Sequence, residues 1–340
     1  MGMSKIWGAA VAALLATCAF GSQAVSAQDH ARINELTIHS PALEGNWEGT
    51  GAERTALVFT PPGYDENPGR RYPVVYFLHG YGATKQMYQD LVHFEEALDG
   101  AAAEGNDFIL VMPDGQSRML GSFYSNSPTT GDFESYIARD LVAQVDAQYR
   151  TLAQRDSRGL AGHSMGGYGT MRLGLKFPDV FSSIYAMSGC CFRVRPYSIE
   201  DAQAAAALTD EAVEKAEFGT LGAAPFLAAW SPDPDARHKF ATGLLGDGTI
   251  DPDVMARIAA NSIIPMLPQY LPSLRAMDGI ALDVGNQDGL KADNDALHAE
   301  LDRFGIAHSY DIYEGGHGDK VAGRIRSHVL PFFAQHLETE

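Results

Sequence analysis

The chain predicts an α/β fold, with a mostly parallel central sheet, helices on both faces and one helical insertion. Two observations carry the sheet. Apolar runs of strand length, most of them closed by Pro, Gly or Asp, alternate with helical patterns along the chain. Strand–helix–strand alternation implies a mainly parallel sheet covered on both faces. A third observation carries the insertion. An Ala-, Asp- and Pro-rich stretch from about Arg195 to Met277 interrupts the alternation.

The elements follow in order. Residues 1–27 look like a secretory leader, with Lys5 as the positive end, an apolar run from Ile6 to Phe20 and small residues at Val25-Ser26-Ala27. The run is too short and too rich in small residues to favour a permanent span. Leu15-Ala16-Thr17-Cys18 resembles a lipobox, but Thr17 suits the position before an acylated cysteine poorly, so plain export, secreted or periplasmic, is the preferred expectation. Residues 28–340 then make one α/β domain. Strands are expected at Arg54–Thr60, Tyr72–Leu78, Phe108–Met112, Ser182–Met187, Ile280–Val284 and Ser309–Tyr313. Phe133, Ile137, Leu141 and Val145 recur every four residues on one helix face, and Leu297, Leu301 and Phe304 mark another helix that stops at Gly305. Within 195–277 the helical patterns are Asp201–Phe218 and Asp253–Ala260. An insertion between the strands ending near Met187 and starting near Ile280 falls above the strand ends, where open α/β sheets bind ligands, and reads as a cap.

The segment Gly162-His163-Ser164-Met165-Gly166-Gly167 carries the chemistry. Gly-x-Ser-x-Gly between a strand and a helix is a nucleophile elbow, a sharp turn that exposes the serine Oγ at the top of a sheet. The flanking glycines suit a turn where two backbones leave no room for side chains. A serine needs a base within hydrogen-bond reach, and the base needs an orienting acid. Asp288 and His317 each follow a predicted strand, as Ser164 does, and stand in the order serine, acid, histidine. The competitors fit less well. His298, His328 and His336 fall in helices; His163 points elsewhere on its tight turn; His79 reads as a loop-organising hydrogen bonder. Asp293 and Asp295 read as residues of a helix N-terminus, and Asp283 lies inside a strand. The oxyanion donors expected on this plan are the amide of Met165 and an amide of the loop Phe77–Gly82, that of Tyr81 first and Gly82 second.

These segments resemble a known family. Pro61-Pro62-Gly63-Tyr64-Asp65, Tyr72-Pro73-Val74-Val75-Tyr76-Phe77-Leu78-His79-Gly80, Met112-Pro113-Asp114-Gly115 and the Ser164 elbow are similar to the "putative esterase" (esterase D-like) family, over about Ala56–Gly189 and again from Ile280. The resemblance implies an α/β-hydrolase fold, a Ser164–Asp288–His317 triad, oxyanion donors at Tyr81 and Met165, and an acyl-pocket loop over Ser122–Ser127 with Tyr124 and Asn126 as substrate-binding residues. It implies a carboxylesterase working without cofactor or metal on a small-molecule or polymer-linked ester. Acyl transfer to an alcohol, or a silent binding protein on the same fold, are the alternatives. The insertion departs from compact members, so substrate choice does not carry over.

Composition narrows the partners. Lys and Arg number 25 against 43 Asp and Glu, a formal charge of -18, which disfavours nucleic acid and anionic lipid. Beyond residue 27 the cysteines are the adjacent Cys190 and Cys191. Neighbouring Cα atoms lie about 3.8 Å apart, below the roughly 4.4–6.8 Å of an ordinary disulfide, so two thiols are expected rather than a bridge. No Cys-x-x-Cys or His-Glu-x-x-His run suggests zinc.

Overall fold

The computed structural model describes residues 30–339, so residues 1–27, expected to be a leader, and Cys18 among them lie outside the described residues. Ten strands are present: β1 (Arg32–His39), β2 (Glu53–Thr60), β3 (Val74–Leu78), β4 (Ile109–Pro113), β5 (Asn126–Ser127), β6 (Gly131–Asp132), β7 (Arg158–His163), β8 (Ser183–Met187), β9 (Gly279–Gly285) and β10 (Ser309–Tyr313). Strands β5 and β6 form a separate short hairpin. The other eight form one sheet in the order β1-β2-β4-β3-β7-β8-β9-β10. Strands β1, β2 and β4 pair antiparallel, and every pairing from β4 through β10 is parallel. This is an α/β-hydrolase-type sheet.

Burial explains the strands. Every residue of β3, β4, β7, β8 and β9 is buried, because apolar clusters cover both faces. The two edge strands depart most from that pattern. β1, which the sequence reading missed, is an antiparallel edge that buries only Leu36 and Ile38. β10, the opposite edge, is half exposed, with Ile312 at 45%.

The helix over residues 133–148 has Phe133, Ile137, Leu141 and Val145 all buried. Four-residue spacing drifts about 40° per step around an ideal α-helix. A π-type turn over Tyr136–Leu141, with more residues per turn, absorbs part of that drift. The predicted helix Asp201–Phe218 is in fact two, Ile199–Ala206 and Asp210–Glu214. The second starts afresh because the Thr209 side chain accepts from the Ala212 amide. Ile263–Arg275 is an additional helix, despite Pro268 and Pro272 inside it. Each proline lacks the N–H that would bond back one turn, yet the helix packs Ile263, Met266, Leu267 and Leu274 into the core. No helix of the described residues is long and apolar enough to cross a membrane.

Candidate active site

Ser164 sits between β7 and the helix Met165–Lys176, with φ 61° and ψ -116°. A non-glycine residue held there stores about 1–3 kcal/mol of strain, which the surroundings must fix. They do so with hydrogen bonds: the Ser164 amide donates to Met187 at 2.9 Å, and the Tyr168 amide donates to the Ser164 carbonyl at 3.1 Å. The glycines are steric necessities. A Cβ on Gly166 would lie 2.0 Å from the Leu78 carbonyl oxygen, and one on Gly162 would lie 2.5 Å from the Gly166 carbonyl.

The three residues expected to act together do meet. His317 Nε2 lies 2.9 Å from Ser164 Oγ, and His317 Nδ1 lies 2.9 Å from Asp288 Oδ2. Asp288 Oδ1 accepts from the Leu290 amide at 2.8 Å. A carboxylate that only accepts puts the imidazole proton on Nδ1 and leaves Nε2 to accept from the serine. The Asp288 side chain is 1% exposed. Burial by itself pushes its carboxyl up, but the bonds from His317 and the Leu290 amide outweigh that and hold it below its ordinary range. The competing acids are engaged elsewhere. Asp283 is buried against Arg324 (2.9 Å) and Tyr185 (3.0 Å); the partly buried Asp293 and Asp295 are paired, Asp293 with Arg193 (2.7 Å) and Asp295 with Lys291 and Tyr310 (2.7 Å each).

Met165 opens its helix, so its N–H has no acceptor within the helix. In the facing loop the Gly82 amide is spent on the Leu120 carbonyl at 3.0 Å. The Tyr81 amide makes no backbone hydrogen bond among the described residues, and Tyr81 and Met165 both line the cavity that holds Ser164 and His317. Of the two sequence candidates in that loop, Tyr81 therefore has the available donor. His79 organises the loop as expected. Its Nε2 accepts from the Gly115 amide at 2.9 Å, so Nδ1–H donates to the Gly80 carbonyl at 2.9 Å.

The pocket loop needs correction. Tyr124 is fully buried and donates its hydroxyl to the His79 carbonyl at 3.0 Å. Asn126 is exposed and borders a different depression, beside Trp47. Neither lines the Ser164 cavity. Phe123 does, together with Phe218 and Phe226 of the 195–277 segment, in a space of about 380 Å³.

Sequence reasoning also passed over a residue. His163 points away from Ser164 but is not idle. Its Nε2 lies 2.7 Å from the His317 carbonyl and its Nδ1 lies 2.6 Å from the Tyr88 hydroxyl, which accepts from the Gly80 amide at 3.1 Å. A buried side chain thus ties the loop after β3 to the loop that carries His317. A helical-wheel or motif reading has no signal for it, because the contact is 154 residues away in sequence.

Cys190 and Cys191 are free thiols with sulfurs 3.0 Å apart, both lining the cavity. The bond from Cys191, then burial, pushes the Cys190 thiol well up. His298, Asp302 and His308 are near enough together to hold a metal ion. Their own bonding already accounts for the geometry: His308 Nδ1–H donates to the Ile306 carbonyl at 2.8 Å, and its Nε2 accepts from His298 at 2.8 Å.

A sequence profile of the "putative esterase" family matches residues 48–242, more than half of the chain. The chain belongs to that family. Among curated proteins, it is 29% identical over 181 residues to an endo-1,4-beta-xylanase/feruloyl esterase of Xylanibacter ruminicola, covering 52% of this chain and 24% of that one. It is 33% identical over 136 residues to an esterase of Mycobacterium tuberculosis, covering 39% and 28% respectively. The matched part is thus about a quarter of the length of those relatives. Among solved structures, a ferulic acid esterase superposes with TM-score 0.64 at 19% identity, over 91% of this chain and 100% of its own. An S-formylglutathione hydrolase of Agrobacterium tumefaciens gives 0.61 at 17%, over 91% and 96%. At these identities the likeness establishes the α/β-hydrolase fold of esterases and no more.

Proposed function

We propose that the chain is a serine carboxylesterase. One observation carries the reading: an unbroken hydrogen-bonded run, Ser164–His317–Asp288, with both links at 2.9 Å, opening into an apolar cavity. Ser164 Oγ attacks the ester carbonyl while His317 Nε2 takes its proton. Asp288 stabilises the imidazolium. The Tyr81 and Met165 amides receive the oxyanion, where one such donor typically contributes about 2.7–4 kcal/mol. His317 then returns the proton to the leaving alcohol, and water, deprotonated by the same imidazole, releases the acid. Membership of an esterase family, and relatives named as esterases, support the same chemistry.

The segment 195–277 acts in this reading as a cap, because its Phe218 and Phe226 wall the cavity. Residues 1–27 act as an export leader, which the mass of the processed N-terminus, expected at Gln28, would test.

The deciding assay is hydrolysis of p-nitrophenyl acetate, butyrate and octanoate beside Ser164→Ala. The variant should fold normally and lose on the order of 10⁴–10⁶ in turnover, because such residues act as a unit. Retained turnover would remove Ser164 from the chemistry.

A further inference from the structure

The cavity that holds Ser164 does not end at the nucleophile. Cys190, Cys191, Arg195 and Leu290 line it and also line a second cavity of about 290 Å³. These four residues border both spaces, so Arg195 faces the cavity that holds Ser164 as well as the second one.

The second cavity is unevenly charged. Three of its lining residues are ionised, Arg193, Arg195 and Asp293. Arg193 is already committed, since its Nε donates to Asp293 Oδ1 at 2.7 Å. The other oxygen of Asp293 accepts from the Phe192 amide at 3.1 Å. Arg195 has no carboxylate partner among the described residues. Its guanidinium lies instead 4.9 Å from the centroid of the Phe226 ring. Phe226 is 3% exposed and packs against Tyr197 and Trp230, so the ring is a fixed platform. A guanidinium resting on an aromatic face is positioned without spending its N–H groups. An uncommitted cation lining the Ser164 cavity is unexpected in a chain with 43 acidic and 25 basic side chains.

We propose that Arg195 makes the junction of the two cavities a subsite for a carboxylate borne by the substrate. The chain would then favour esters that carry an anionic group on one side of the scissile bond, with the apolar part against Phe123 and Phe218. The planar fork of the guanidinium suits a carboxylate in two-point contact. Arg195 belongs to the 195–277 segment, so this preference is a property of the insertion and not of the common fold. The inference rests on the esterase reading and narrows its substrate class.

Two matched ester pairs test it. p-(Butyryloxy)benzoate against its methyl ester puts the charge on the alcohol side. The mono-p-nitrophenyl ester of adipic acid against p-nitrophenyl hexanoate puts it on the acyl side. The quantity read is the ratio of kcat/KM, charged over neutral, in the wild type, Arg195→Gln and Arg195→Lys. For one pair, Arg195→Gln should lower that ratio about fivefold, and Arg195→Lys should recover part of it, since lysine keeps the charge without the fork. Ratios unchanged in both pairs would overturn the subsite, provided melting curves show both variants folded.

Turnover of the neutral esters reports on the esterase reading separately. If neither is hydrolysed, calorimetric binding of p-(butyryloxy)benzoate to the Ser164→Ala protein still decides the subsite. Weaker binding once Arg195→Gln is added supports it. Equal affinity, or no binding to either protein, overturns it.

Discussion

His163 precedes Ser164 and holds two loops in register. Its partners fix its protonation. The Tyr88 hydroxyl accepts from the Gly80 amide, so its proton goes to His163 Nδ1, and Nε2–H is left to donate to the His317 carbonyl. Burial, then the neighbouring His317, pushes the His163 imidazole down to about 4. An unfolded histidine takes up its proton near pH 6.5 or so. The folded state therefore resists protonation that the unfolded state accepts. The resulting stabilisation is complete above about pH 6.5 and is lost as pH falls toward about 4, by on the order of 3 kcal/mol. His163→Gln retains a side-chain N–H for the His317 carbonyl and does not titrate. Urea unfolding should thus show a gap between wild type and variant that shrinks by that amount from about pH 7.5 to about pH 4. A gap independent of pH would mean that the imidazole is not buried neutral.

Among the elements, the 195–277 segment gives the pocket its walls, and Phe218 is its most exposed aromatic, at 74%. Its ring lies 5.8 Å from that of Tyr81. An acyl chain long enough to reach Phe218 gains apolar contact there, and acetate does not. Phe218→Ala should lower the kcat/KM ratio of octanoate to acetate esters by about three- to tenfold, modest because the ring is largely exposed. An unchanged chain-length profile would place the acyl group elsewhere. The elements that bring Ser164, Asp288 and His317 together were legible in the sequence because each has a local mark. The turn at Ser164 needs its glycines, Asp288 follows the buried strand β9, and His317 stands in a glycine-rich loop after β10. The loop Ser122–Ser127 had no such mark. Phe123 and Tyr124 adopt consecutive positive φ values, 50° and 46°, without a glycine to announce them. That backbone turns Phe123 into the cavity and Tyr124 into the core, so Phe123 lines the cavity where Tyr124 was expected to.

At the scale of the whole molecule the sheet could be read from its continuous buried strands and from the run that forms the edge strand β10, while the edge strand β1 and the break of the expected helix Asp201–Phe218 into two could not. Edge strands bury too few residues to show a clear pattern, as β1 does with Leu36 and Ile38. Charge is the other property of the whole. A formal charge of -18 leaves the compact state under self-repulsion that the expanded chain relieves. Local pairing does not remove it, because each ion pair cancels one acid and one base and leaves the excess of acids in place. Screening does. The Debye length shortens from about 30 Å at 0.01 M salt to about 8 Å at 0.15 M, less than the span of a domain this size. Repulsion between carboxylates on opposite sides is then largely removed, while a contact such as Glu134 with Arg172 at 2.6 Å, with both side chains nearly inaccessible to solvent, is hardly touched. The melting temperature should therefore rise by several degrees over that range of sodium chloride at neutral pH, and the rise should level off once the screening length is shorter than typical surface charge separations. A melting temperature that falls with salt would mean that favourable surface pairs, and not the net charge, dominate the electrostatics of the fold.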